Sequence, residues 1–374
     1  MKRLLFKKII IFIIPLLILT SFSLLNLYYA PNLSSLYNGF FSKQIIWYII
    51  CYFLFFLILF IKPNFLIKYS FYIYSFNVLL LLLVLFFGKE INGSKAWFNF
   101  GIFSFQPSEF MKISLILYLT KVTSSTLLNN NKQHILLLFK IILIFLIPAI
   151  LTFLEPDTGA VIIYFFITLG IILFSKIKKK YIIILSVICL TLLSVMYITF
   201  LKKPEIIINI FGPKFYYRID RITNFHNGGG MQIDNALITI GNAKMVNTPT
   251  KAINLYFPEA ITDFIFTLTI NNFGIISAMI TLISYLFLDI LIIHNIFSIK
   301  NYECKLITSS FLFMFLYHQI QNILMNLGVL PIIGIPLPFL SYGGSSLLLF
   351  FISLALILKL SLEKEKYSYR VFYR

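Results

Sequence analysis

MKRLLFKKIIIFIIPLLILTSFSLLNLYY, residues 1–29, decides the fold class. Lys2, Arg3, Lys7 and Lys8 precede an uncharged run from 9 to 29. Roughly 20 apolar residues cross about 30 Å of hydrocarbon, so this run reads as a membrane span. The opening resembles a signal peptide, but the apolar run is too long and no small-residue cleavage site follows. It is read as an uncleaved first helix that starts in the cytoplasm.

The rest of the chain repeats that pattern. Sixty per cent of the 374 residues are apolar and the mean hydropathy is +0.93, far above a soluble globular composition. A soluble fold must still present much polar surface to water, so lipid is the solvent here. Apolar runs fall near 9–29, 44–62, 66–87, 108–126, 134–154, 158–175, 180–201, 263–293, 306–330 and 339–361. The expectation is an all-α integral membrane protein of about ten transmembrane helices, with 1–374 forming a single polytopic domain.

Charge supplies the orientation. With the N-terminus inside, the inner connections and termini hold twenty Lys and Arg, whereas the short outer loops hold only Lys43, Lys89 and Lys95. The positive-inside rule then places both termini in the cytoplasm. Connections 88–107, 155–157, 202–262 and 331–338 fall outside, the third being one long loop between helices 7 and 8, expected to carry part of a functional site because structured loops on a membrane scaffold are where binding and catalysis are usually placed. The formal charge of +18 is spread along membrane anchors, with no nucleic-acid module. Cys51, Cys189 and Cys304 show no paired spacing, and the four histidines show no metal-ligand spacing.

Gly, Pro and acidic residues cluster on the outer side. In AINLYFPEAITDFIF (252–266), Glu259 and Asp263 are four apart, so a helix beginning this early would put them on one face. Asp263 can instead sit in the first turn of the eighth span with Thr262 as its cap. A carboxylate at the outer membrane edge is also well placed for a general base. The preceding loop carries Lys202, Lys203, Lys214, Arg218, Arg221, Lys244 and Lys251, which suit anionic headgroups or a pyrophosphate-linked lipid. In GSKAWFNFGIFSFQPSEFMKI (93–113), aromatics read as an interfacial belt, and Glu109 and Lys112 can pair across one helical turn. Asp157 occupies a very short turn in LEPDTGA. The ninth span carries His318, Gln319, Gln321, Asn322 and Asn326 and runs into a Pro- and Gly-rich segment. Such a segment is tolerated at membrane depth only where protein or a watery cavity covers it, which implies a polar cavity opening outward.

GSKAWFNFGIFSFQPSEFMK, FPEAITDFIF and MNLGVLPIIGIPLPFLSYGGSS, in this order, resemble the SEDS family of shape, elongation, division and sporulation proteins (RodA, FtsW and SpoVE). The short loops and QPSEFMK are most like the RodA branch. The resemblance implies a peptidoglycan glycosyltransferase of the bacterial inner membrane. It would polymerise lipid II on the outer face, beside a class B penicillin-binding protein and among membrane lipids. It implies Asp263 as the catalytic carboxylate. Glu259, Arg221, Lys112, Glu109, Asp157, Gln232, Asn322, Ser341 and Gly343 form the candidate substrate-binding set. A divalent cation (Mg or Mn) is a possible helper. Two departures from the family pattern are Ile261, where a His is frequent, and ITIGNAKMVN, where Ala243 and Lys244 replace glycines. The second predicts a reshaped loop. The residues alone leave open a lipid flippase or transporter using the same cavity, and an inactive scaffold for a partner synthase.

Overall fold

The computed structural model describes residues 2–91, 94–99, 101, 104–202, 205, 230–249 and 259–372. A helix lies at each expected apolar run. In chain order they are α1 (Lys2–Tyr29), α2 (Phe40–Ile58), α3 (Pro63–Lys68), α4 (Ser70–Phe87), α5 (Pro107–Ser125), α6 (Asn131–Leu154), α7 (Thr158–Phe174), α8 (Lys179–Lys202), α9 (Met231–Gly241), α10 (Ile265–Phe273), α11 (Ile275–Ser298), α12 (Tyr302–Asn326) and α13 (Gly344–Phe372). Among the described residues, six stretches are long and apolar enough to cross a membrane: those of α1, α2, α4, α6, α11 and the first part of α13. α7 is a shorter apolar helix. The chain is therefore a multi-pass membrane protein.

α12 is the central post, buried along most of its length and packed most closely on α7. Small residues allow that approach. A Cβ on Gly170 of α7 would meet the Ser310 Cα at 2.9 Å, the small-against-small contact by which helices gain dispersion energy in lipid. α13 packs on α2 and is also largely buried. α2, α4, α6 and α11 expose Ile, Leu and Phe side chains such as Ile49, Phe53, Phe76, Ile135 and Ile283, as lipid-facing helices should.

Two expectations fail locally. The 263–293 run is two helices, because Gly274 sits at φ 85° and ψ −178° and ends α10 before α11 begins. The 88–107 connection holds the chain's departure from an all-α fold, an antiparallel meander of β1 (Lys89–Ile91), β2 (Ser94–Asn99) and β3 (Ser104–Phe105). Lys89 pairs with Trp97, Ile91 with Ser94, and Phe98 with Phe105. Near lipid an unpaired backbone is expensive, and pairing the loop with itself satisfies those groups.

Candidate active site

The turn 259–264 carries the central carboxylate. Glu259 adopts φ 56°, and its carbonyl accepts from the backbone N–H groups of Thr262, Asp263 and Phe264. Three further carbonyls of the turn are also capped. Ile261 O accepts from Tyr342 N at 2.9 Å, and Thr262 O from Ser341 Oγ at 2.6 Å. Asp263 O accepts from Asn322 Nδ2 at 2.9 Å and Asn326 Nδ2 at 3.0 Å. Thr262 does not cap the following helix, as the sequence suggested. Phe264 is the N-cap residue of α10, and the Thr262 hydroxyl donates to Glu259 Oε2 at 2.8 Å.

This turn forms one wall of a cavity of about 370 Å³. The opposite walls come from β2 and the start of α5, from the 155–158 turn, and from 333–346. The four connections 88–107, 155–157, 202–262 and 331–338, all placed outside by the charge count, thus meet at one cavity. Asp263, Glu259, Glu109, Asp157 and Gly343 line it, together with Trp97, Gln106 and Tyr342. Gly334, at φ 76°, stands beside Asp263, since a Cβ there would lie 3.6 Å from Asp263 Oδ2. Burial pushes the Asp263 carboxyl up to about 7, and the neighbouring Glu259 charge pushes the same way.

The other acids are held differently. Asp157 is the N-cap of α7: its Oδ1 accepts from Ala160 N at 3.0 Å, and its Oδ2 from Gln106 Nε2 at 2.9 Å and Ser108 Oγ at 3.0 Å. Glu109 pairs with the buried Lys112 at 2.7 Å, leaving Glu109 Oε2 without a protein partner. Glu155, in the same short turn, is fully buried with neither oxygen hydrogen-bonded. Burial, then the Asp157 charge, push it up to about 9.

Several candidate residues lie elsewhere. Gln232, on α9, is not in the cavity lining. Arg221 lies outside the described residues, as do Lys203, Lys214, Arg218 and Lys251. Lys112, Asn322 and Ser341 stand behind the wall rather than in it. The polar ninth span has a physical explanation that the sequence did not supply. Residues 327–343 contain no regular element, and their carbonyls need donors. Gln321 donates to Pro331 O, Asn322 to Ile335 O, and His318 Nδ1 bonds Pro336 O. Tyr285 donates to Pro338 O and Tyr48 to Phe339 O. Facing a carbonyl, His318 Nδ1 must carry the proton.

Among the described residues no group of three or more His, Cys, Asp or Glu could hold a metal. Glu259 and Asp263 supply two carboxylates to the cavity.

The family described as cell cycle proteins, FtsW, RodA and SpoVE, matches residues 2–366. The chain belongs to that family. A probable peptidoglycan glycosyltransferase FtsW of Wigglesworthia glossinidia brevipalpis is 32% identical, over 99% of this chain and 96% of its own. One from Buchnera aphidicola subsp. Schizaphis graminum is 30% identical, over 89% and 93%. Among solved structures, a chain from a peptidoglycan synthase complex that coordinates polymerization and crosslinking superposes with a TM-score of 0.76 at 23% identity, covering 94% of this chain and 97% of its own. The rod shape determining protein RodA of Thermus thermophilus gives 0.68 at 22% identity, covering 94% and 96%. The fold is shared with both structures, and the sequence relatives carry the FtsW name where the motifs suggested the RodA branch.

Proposed function

We propose that this protein is a peptidoglycan glycosyltransferase that polymerises lipid II at the outer face of the bacterial inner membrane, the whole chain acting as one polytopic unit. The observation that carries the reading is Asp263, a carboxylate tuned to about 7 in a polar cavity built from four connections of a membrane-embedded bundle. Near neutral pH a base of that strength exists in both forms and can accept a proton without being permanently charged.

Asp263 takes the proton of the acceptor's GlcNAc 4-hydroxyl as that oxygen attacks the anomeric carbon of the donor's MurNAc. Undecaprenyl pyrophosphate leaves with the bonding pair, and the configuration inverts. Pyrophosphate departs as a stable anion, so one carboxylate suffices. Arg221 and its neighbouring cations neutralise the departing charge. Trp97 offers a flat apolar face to a sugar ring. The strong likeness to FtsW glycosyltransferases and to a chain of a synthase complex supports a class B penicillin-binding protein as partner.

Polymerisation of fluorescent lipid II by the purified protein with its cognate transpeptidase tests this. Asp263→Ala is expected to lose about 10²–10⁴-fold in rate. Wild-type rates from Asp263→Ala would remove the base. Transbilayer movement of lipid II without polymer would make the protein a transporter instead.

A further inference from the structure

We infer that Asn322 of α12 is a positioning residue for the reaction, the side chain that fixes the Asp263 turn against the neighbouring Gly334–Ile335 segment of the cavity wall. The inference rests on Asp263 being the base. It changes what Asn322 does, from touching substrate to holding together two pieces of backbone that line the cavity.

One atom makes the link. Asn322 Nδ2 donates to Asp263 O at 2.9 Å and to Ile335 O at 2.8 Å. Both partners are carbonyls, which can only accept, so the amide orientation follows from chemistry. One carbonyl belongs to the residue that carries the base. The other belongs to the residue after Gly334, which stands beside Asp263, since a Cβ there would lie 3.6 Å from Asp263 Oδ2. Neither segment is helical or paired in a sheet; Tyr342 N and Ser341 Oγ join them at Ile261 O and Thr262 O, and at Asp263 itself the tie to residues 334–335 runs through Asn322. Asn322 is fully buried on a well-packed helix and provides that fixed point.

The rest of the network keeps the Asn322 side chain aimed. Asn326 Nδ2 donates to Asn322 Oδ1 at 3.2 Å and to Asp263 O, while its own Oδ1 accepts from Thr267 N and Oγ1 at 3.1 and 2.6 Å. Asn326 thus ties the same carbonyl to the first turn of α10. The other side-chain donors to the irregular segment, Gln321, His318, Tyr285 and Tyr48, each reach a single carbonyl of residues 331–339. Asn322 also reaches across to the turn that holds the base. A displacement of about 1 Å at a reacting group can cost about 10²-fold in rate, so the staple acts on turnover more than on affinity.

The test compares Asn322→Leu, Asn322→Ser and Thr308→Val in the intact complex with its transpeptidase, using lipid II polymerisation. Thr308 is buried on the same helix and bonds only its own turn, at Cys304 O, so Thr308→Val controls for general loss of packing. Asn322→Leu is expected to lower kcat about 10–100-fold with KM within about threefold, and to move the acid limb of the pH–rate profile to lower pH as the loosened carboxylate gains water. Asn322→Ser, which keeps a donor for one carbonyl, is expected to fall between Asn322→Leu and wild type. If Asn322→Leu does not fold, Asn322→Ser carries the same comparison. An unchanged pH limb, or kcat no lower than in Thr308→Val, overturns the inference. If Asp263→Ala itself polymerises normally, it is the base assignment that fails, a result distinct from normal turnover in the Asn322 variants alone.

Discussion

At Asp263 the chemistry is set by environment rather than by residue type. The carboxyl's ordinary value is 3.8, and burial and Glu259 bring it to about 7. A base must be ionised, so the polymerisation rate should climb with pH through about 7. Glu259→Gln removes the neighbouring charge and should move that limb to lower pH, read from kcat between pH 5 and 9. Glu155 gives a stability prediction of definite sign. Its folded value of about 9 lies above the ordinary 4.5, so the native state keeps a proton that the unfolded chain releases between those limits. Stability therefore falls as pH rises through that window. Glu155→Gln cannot titrate, so its Tm advantage over wild type should be larger at pH 8 than at pH 5. Glu109 and Lys112 were recognisable as a pair from their spacing. The isolation of Glu155 was not, because a turn carboxylate looks the same in sequence whether water reaches it or not.

Among the elements, the break between α10 and α11 is the most informative. Gly274 N closes α10 on Ile270 O, and the first amides of α11, Ile275 N and Ile276 N, donate to Lys244 O and Met245 O. The loop 242–249 thus caps α11. A Cβ at Gly274 would come within 2.6–2.8 Å of Met245 O, Lys244 O and Asn247 N, and its φ of 85° disfavours a side chain in any case. Gly274→Ala should lower Tm by several degrees, as a strained backbone position costs about 1–3 kcal/mol, and should expose 242–249 to proteolysis. The same geometry answers the worry raised by Ala243 and Lys244. The non-glycine residues at positive φ among those described are Pro156, Glu259 and Phe339, so the loop runs through Ala243 and Lys244 without left-handed strain. Glycines there are not needed for this backbone path. Ala243→Gly is accordingly expected to leave the polymerisation rate within about twofold.

On the scale of the whole molecule, the lipid-facing and buried helices divide by composition. α5 and α12 bury their polar groups inside the bundle, while α2, α4, α6 and α11 turn apolar side chains outward. The cavity opens where the four connections converge, so the orientation of the bundle decides which side of the membrane the chemistry serves. Cysteine labelling in intact cells tests it. Met245→Cys, exposed beside the α10–α11 break, should react with a membrane-impermeant maleimide. Lys178→Cys, exposed in the opposite connection, should react only after permeabilisation. The native Cys51 and Cys304 are buried and supply little background.

Apolar run length and three ordered motifs were enough by themselves to indicate a multi-pass helical protein and its family, and to single out Asp263 as the candidate base. These features are local: a span needs only its own residues to be apolar. What the tertiary structure decided is which polar groups meet. It brought Glu109, Asp157, Glu259, Asp263 and Gly343 to one cavity, left Gln232 outside the lining, and turned the polar face of α12 towards bare carbonyls. A buried donor must find an acceptor, but the sequence does not name the partner, because that partner arrives from a distant segment only when the chain has folded.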